Sequence, residues 1–143
     1  MKIMAIDYGD ARTGFAISDR SEFLASPIGT VPERNAERLA DKAAQTAAEY
    51  GAGEIIVGLP INMNGTEGPR AEKCRAFAEL LKERTDLPAR MWDERSTTVT
   101  AHNILNETNV RGKARKAVVD TVAATIILEG YLEYRRKKAK QTD

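Results

Sequence analysis

Acids at three places in this 143-residue chain stand where acids are unexpected, and together they define the chemistry it could do. Asp7 ends an otherwise apolar run, Ile3-Met4-Ala5-Ile6. Asp93 and Glu94 follow Met91-Trp92. Asp120 interrupts an apolar stripe: on a helix at about 100° per residue, Ala124, Ile127 and Tyr131 lie within about 40° of it. An unpaired carboxylate in such a stripe would cost roughly several kcal/mol. Two arrangements remove that cost: a salt bridge to Lys116 one turn earlier, or a cation shared with Asp7 and Glu94. Carboxylates without histidine or thiol help are hard oxygen ligands, suited to one or two Mg2+ or Mn2+ ions. Completed by water and substrate phosphates, such a site suits phosphodiester cleavage with ions about 3.5–4 Å apart. Each acid also has a simpler reading. Asp7 could initiate a turn, and Asp93 and Glu94 could favour the positive end of a following helix.

Other residues carry weaker signals. The segment Val57-Gly58-Leu59-Pro60-Ile61-Asn62-Met63-Asn64-Gly65-Thr66-Glu67-Gly68-Pro69 reads as a strand end and a loop whose Gly and Asn residues admit close backbone approach. It could cradle a phosphate or ribose, or simply connect a strand to a helix. Asp7-x-Gly9 with Gly14 is similar to the first phosphate loop of actin-like ATPases, but those hold nucleotide between two related domains and this length fits one. Cys74 reads as core rather than nucleophile, and His102 as a half-exposed helix residue. Trp92 reads as core, with base stacking as the rarer alternative. Arg95 could fix Glu94 or bind a phosphate.

Positioning these residues requires a mixed α/β layout. Residues 2–8 read as a buried strand, with Ile3, Ala5 and Asp7 on one face and Met4, Ile6 and Tyr8 on the other. Thr13–Ser18 and Leu24–Val31 follow as strands, the latter at an edge because Pro27 interrupts it. Three consecutive short strands suggest an antiparallel meander. Asn35 then caps a helix with Ala36, Ala40, Ala43, Ala47 and Tyr50 on one stripe, ended by Gly51 and Gly53. Glu54–Leu59 is a strand. Pro69 opens a helix placing Cys74, Phe77, Ala78 and Leu81 on one face. A strand from Pro88 through Trp92, a short helix from Ser96 or Thr97 to about Asn106, and a last helix from about Ala114 beyond Tyr134 complete the order. A meander followed by α/β units predicts a mixed sheet with helices on its faces.

Composition narrows the function classes. The single cysteine excludes a disulfide framework and a Cys-rich zinc site, and the single histidine excludes a multi-histidine metal centre. No run approaches 18 apolar residues, and Asp7 comes too early for a signal peptide, so the expectation is a cytoplasmic protein with no membrane partner. The net charge of +1 hides an asymmetry. Arg111, Lys113, Arg115 and Lys116 form one acid-free basic window, and Arg135, Arg136, Lys137, Lys138 and Lys140 another. These take nine of the 22 basic residues and leave 13 against 21 acids. Such patches could contact nucleic acid, while a basic tail is also a common solubility device. No linker or repeat is visible, so residues 1–143 are expected to form one domain with a basic tail from about 135.

Four segments carry a resemblance that runs nearly end to end: residues 5–19 (AIDYGDARTGFAISD), 57–69 (VGLPINMNGTEGP), 93–98 (DERSTT) and 116–132 (KAVVDTVAATIILEGYL). Together they resemble the YqgF-like family of small bacterial proteins, described both as nucleases maturing the 5′ end of 16S rRNA and as Holliday junction resolvases. The resemblance implies an RNase H-like fold: a five-stranded mixed sheet, three antiparallel strands then parallel ones, flanked by helices. It also implies an acidic catalytic and metal site at Asp7, Glu94 and Asp120. Gly9, Arg12, Gly14, Asn62, Gly65 and Arg95 match further motif positions. With Arg111, Lys113, Arg115 and Lys116, all of these but Gly14 form the expected nucleic-acid contacts. A one-residue register change would exchange Glu94 for Asp93. The expected activity is Mg2+- or Mn2+-dependent cleavage of precursor 16S rRNA, with ribosomal particles as further partners. The alternatives are resolution of four-way DNA junctions and a non-catalytic RNA- or ribosome-binding role. Residue types choose neither RNA over DNA nor monomer over homodimer.

Overall fold

The structure is a computed structural model that describes residues 1–93 and 112–142, with side chains for 1–93 and 122–140. Its elements are β1 (Lys2–Asp7), β2 (Arg12–Ser18), β3 (Ala25–Pro32), α1 (Ala36–Tyr50), β4 (Ala52–Leu59), α2 (Pro69–Arg84), β5 (Ala89–Asp93) and α3 (Gly112–Thr142). The short helix expected over 96–106 lies outside the described residues.

The five strands form one sheet in the order β3-β2-β1-β4-β5. β2 pairs antiparallel with both β1 and β3, while β4 joins β1 in parallel and β5 joins β4 in parallel. The expected meander and mixed sheet are therefore present. β3 is an edge strand, where Pro27 can sit without breaking a central ladder.

Alternation along β1 divides the core into two layers. Met4 and Ile6 face α1 and α2, packing with Phe15, Leu39, Ala40, Ala43, Phe77 and Leu81. Ile3 and Ala5 face α3, packing with Ala16, Ile56, Ala124, Ile127, Leu128 and Tyr131. Asp7 follows them at the two-residue strand period, on the α3 face of the sheet. Each large side chain buried in these layers contributes about 1.5–3 kcal/mol.

Local signals explain the helices. Asn35 caps α1 by accepting the Arg38 amide, and Gly51 closes it in the left-handed region at φ 70°. Gly53, expected to help end α1, instead belongs to β4. The buried stripe of α1 is Leu39, Ala40, Ala43 and Ala47; Tyr50, the last residue before the Gly51 cap, is exposed. Pro69 opens α2, and the expected face of Cys74, Phe77, Ala78 and Leu81 is buried.

α3 runs antiparallel to β1. Tyr131 reaches Glu54, whose neighbour on β1 is Ile3. Further along, Arg135 pairs with Glu22, which also holds the Met1 ammonium. The C-terminal half of α3 thus lies over the start of β1, and its N-terminal half heads toward the end that carries Asp7. The basic residues from Arg135 onward continue this helix. No helix among the described residues is long and apolar enough to cross a membrane.

Candidate functional site

β1 and β4 run in parallel, so the residues just past their C-terminal ends share one edge of the sheet. Asp7 closes β1 there. Leu59, the last residue of β4, is level with Asp93, the last of β5. The loop over 60–68 leaves the same edge, and β2 begins at it with Arg12. Asp7, Gly9, Arg12, Asn62 and Gly65 therefore converge on one side of the molecule.

The turn after Asp7 has a steric reason for its glycine. A Cβ on Gly9 would stand 2.0 Å from the Arg12 carbonyl oxygen, so the chain closes only without a side chain. The Gly9 amide donates to the Thr13 hydroxyl at 3.1 Å, which locks the turn to β2. Tyr8 stacks on Phe77 with ring centroids 4.6 Å apart. Burial, reinforced by the Asp10 carboxylate, pushes the Tyr8 hydroxyl above its usual pKa.

α2 supplies cations beside this turn. Arg70, on its first turn, donates to the Tyr8 carbonyl and pairs with Asp10 at 3.2 Å. Lys73 approaches the same carboxylate at 3.4 Å. Spacing gave no hint of Arg70, because its partners are 60 or more positions away in the chain.

The 60–68 loop is closed by its own bonds. The Asn62 amide donates to the Thr66 carbonyl at 2.8 Å, and its side-chain nitrogen to the Thr66 hydroxyl at 3.1 Å. Gly65 sits at φ 86°, a conformation that favours glycine. These bonds give Asn62 and Gly65 a structural role in shaping the loop.

A second polar cluster occupies the opposite end of the sheet. Glu54 is only 2% exposed, yet carries a carboxylate. It accepts the Tyr131 hydroxyl at 2.5 Å and pairs with Arg90 at 2.9 Å and Arg135 at 3.5 Å. Burial and the Glu54 hydrogen bond raise the Tyr131 pKa. For Glu22, burial opposes ionisation, but hydrogen bonds from Arg135 and the Met1 ammonium outweigh it and hold the carboxyl below its usual range. Sequence reading missed Glu54, although its strand period with Ile56 marked it as facing the core.

Trp92 is half-buried, not enclosed in the core as expected. Its ring meets Tyr131 edge-on at 5.3 Å and Tyr134 at 5.4 Å.

Among the described residues no three metal-ligating side chains converge. Glu94, Arg95 and Arg111 lie outside those residues. Lys113, Arg115, Lys116 and Asp120 belong to α3 by their backbone, and their side chains are not described.

Comparison with known proteins adds to this geometry. A family model described as "RuvX: Holliday junction resolvase" matches residues 1–134. A protein of Halothermothrix orenii is 45% identical over 137 residues, covering 96% of this chain and 98% of its own. One of Clostridium novyi is 44% identical over 133 residues, covering 93% and 98%. Both carry the name "Putative pre-16S rRNA nuclease". Among solved structures, Thermus thermophilus RuvC in complex with a Holliday junction substrate superimposes with TM-score 0.57 at 12% identity, covering 95% of this chain and 96% of that one. The fowlpox virus Holliday junction resolvase gives 0.55 at 16%, covering 94% and 99%. At such identities the likeness shows the fold, which is RNase H-like as the motifs implied.

Proposed function

We infer the activity from one premise, that this chain belongs to the RuvX family: it is a metal-dependent nuclease that hydrolyses phosphodiester bonds. The observation that carries the reading is the placement of Asp7 at the end of a central strand, on the face that α3 covers. Tyr131 is level with Ile3 through Glu54. Asp7 is four residues further along β1, about 13 Å at ~3.3 Å per residue. Position 120 precedes Tyr131 by eleven residues on α3, about 16 Å in the same direction at ~1.5 Å per residue. The α3 backbone at position 120 and the β1 backbone at Asp7 come to similar height by this reckoning, which supports pairing the two acids. Asp93 ends β5 at the same edge, and Glu94 is the next residue in the sequence.

Asp7, Glu94 and Asp120 are all-oxygen donors, a set that fits a hard divalent cation, and they would hold one or two Mg2+ or Mn2+ ions. An ion held there would supply Lewis-acid activation of water and stabilisation of charge on the scissile phosphate. The chain's own residues do the rest. Gly9 and Arg12 keep the Asp7 turn tight, and Asn62 and Gly65 shape the neighbouring loop. Arg95, Arg111, Lys113, Arg115 and Lys116 bind backbone phosphates, with little reading of bases. The whole chain, 1–143, acts as one domain, with its basic C-terminal turns adding non-specific attraction for nucleic acid.

The substrate reading follows the names of the curated relatives, which give precursor 16S rRNA; our reading adds cleavage at its 5′ end, in the cytoplasm and on ribosomal particles. The family description favours a second reading, resolution of four-way DNA junctions. That activity needs paired nicks and thus a homodimer, whereas rRNA trimming is open to a monomer. One assay separates them. Purified protein is incubated with precursor rRNA and with a synthetic four-way junction, each with Mg2+, Mn2+ or chelator. Cleavage of the rRNA alone, lost with chelator, supports the first reading. Paired nicks in the junction support the second. Binding without cleavage of either would leave a non-catalytic RNA-binding role.

A further inference from the structure

A recess of about 340 Å³ opens beside β5, lined by Arg90, Trp92, Tyr131, Tyr134, Arg135 and Lys138. None of these belongs to the three-acid site, and the recess differs from it in chemistry. Its walls are aromatic and its rim is cationic.

The rings leave a usable surface. Trp92 and Tyr134 meet at a tilt of 49° and do not stack on one another, and Tyr134 is 46% exposed. Tyr131 spends its hydroxyl on Glu54, which fixes the floor. The same buried carboxylate holds Arg90 through Nε and Arg135 through Nη1, so both guanidinium groups are anchored at the rim. The Arg90 side chain remains 66% exposed. The Lys138 ammonium lies 5.9 Å from the Tyr134 ring centre.

The position of the recess connects it to the proposed chemistry. Trp92 is level with Gly58 on β4, and Gly58 follows Val57, the partner of Ile6. Asp7, Gly58 and Trp92 thus form one row across three strands. Gly58 and Trp92 share their strand faces with Ile56 and Arg90, on the α3 side. With neighbouring strands ~4.8 Å apart, Asp7 and Trp92 are separated by about 10 Å, and the residue between them has no side chain.

We propose that this recess holds one unpaired base of the substrate strand, stacked on the exposed Tyr134 ring and packed against the tilted Trp92 ring, with its phosphate against Arg90 and Lys138. The proposal rests on the nuclease reading and narrows its substrate class to strands whose nucleotide near the scissile bond is single-stranded. A base inside a duplex has both faces covered by its neighbours and cannot enter. Stacking is tolerant of base identity, since every base has a π-face, so the recess selects for strandedness over sequence.

Trp92 is the sole tryptophan of the chain and therefore reports on its own ligand. Full-length protein in chelator, where no cleavage occurs, is titrated with three probes: a single-stranded oligonucleotide, the same sequence in a blunt duplex, and an abasic strand of equal length. The expected result is saturable quenching of Trp92 fluorescence by the single strand and none by the other two. Tyr134→Ala and Lys138→Ala should each weaken that binding, Tyr134→Ala by roughly tenfold. Both should raise KM on a substrate with an unpaired flank while kcat stays within about twofold, because neither residue touches the acids. Trp92→Phe keeps a stacking face and should retain affinity, measured by anisotropy of a labelled strand.

Equal quenching by the duplex overturns the proposal, as does absence of quenching. Wild-type affinity in a folded Tyr134→Ala variant does so too. The two readings fail separately. Quenching by a protein that cleaves nothing keeps the recess and removes the nuclease, whereas cleavage without quenching does the reverse.

Discussion

Tyr131 on α3 donates its hydroxyl to Glu54 at the start of β4, joining positions 77 apart around a carboxylate that is 2% exposed. This bond ties the last helix to the centre of the sheet. Tyr131→Phe preserves the packing on Trp92 and removes one donor from a buried charge. The expected loss is about 1–3 kcal/mol, read from the midpoint of urea unfolding at unchanged m-value.

The proposed acids should separate catalysis from folding. Asp7→Asn and Asp120→Asn are expected to abolish metal-dependent cleavage. If the two carboxylates repel one another without a cation, Asp120→Asn should leave Tm unchanged or higher. A large drop in Tm would point instead to a structural ion pair with Lys116. Glu94→Gln should eliminate activity and Asp93→Asn should leave most of it, because the strand period turns only one of two neighbours toward a site.

Gly9→Ala tests the turn. The added methyl would meet the Arg12 carbonyl oxygen at 2.0 Å, so the turn must open and Asp7 must move with it. Cleavage should fall by at least about 100-fold, as misplacing a reacting group by roughly 1 Å can cost that much. The sheet should persist by circular dichroism, since both flanking strands are anchored in the core.

Acid stability should carry a trace of Asp19. Its carboxylate accepts the Ser21 hydroxyl and the Phe23 and Leu24 amides, which lowers its pKa from 3.8 to about 2. A depressed carboxyl pKa contributes stability that is complete above the ordinary value and lost as pH falls through the depressed one. Asp19→Asn should therefore unfold more easily at neutral pH. Its stability curve should converge on that of the wild-type protein as pH drops from about 3.8 to about 2. Parallel curves through that interval would remove Asp19 from the acid limb.

Much of the architecture was readable because its signals are local. Asn35 three residues before the Arg38 amide, Pro69 at a helix start and Cys74, Phe77, Ala78 and Leu81 on one helical face each decide a feature within a turn or two. Alternation along Ile3–Asp7 likewise assigned Asp7 to the face of Ile3 and Ala5. What stayed hidden depends on partners distant in the chain. The strand period turned Glu54 toward the core, but what neutralises its carboxylate emerges only when Arg90, Tyr131 and Arg135 surround it, 36 to 81 positions away. Arg70 looked like an ordinary helix residue, and only folding brings it to the Tyr8 carbonyl. Leu39 escaped the alanine stripe of α1 because it sits at that stripe's margin, where only the packing against Phe77 and Leu81 reveals burial. Of the candidate site, the Asp7 turn and the 60–68 loop were legible from glycine placement. Asp120 stood out by the apolar stripe it interrupts, while the roles of Glu94 and the 111–116 cations rest on motif and charge.

The central place of β1 in the sheet bears on the order in which the chain can fold. β1 and β2 meet within the first 18 residues, but β1 gains its second neighbour only when β4 emerges, some 50 positions later. Its α3-facing side, Ile3 and Ala5, waits longer still, until Ala124 to Leu132 have been synthesised. At about 5–20 residues per second, that leaves a nascent chain with an exposed apolar sheet face for several seconds. Closure of the core is thus a late, near-terminal event, and shortened chains ending before α3 should be held by chaperones or aggregate, even though every strand described here would already be present.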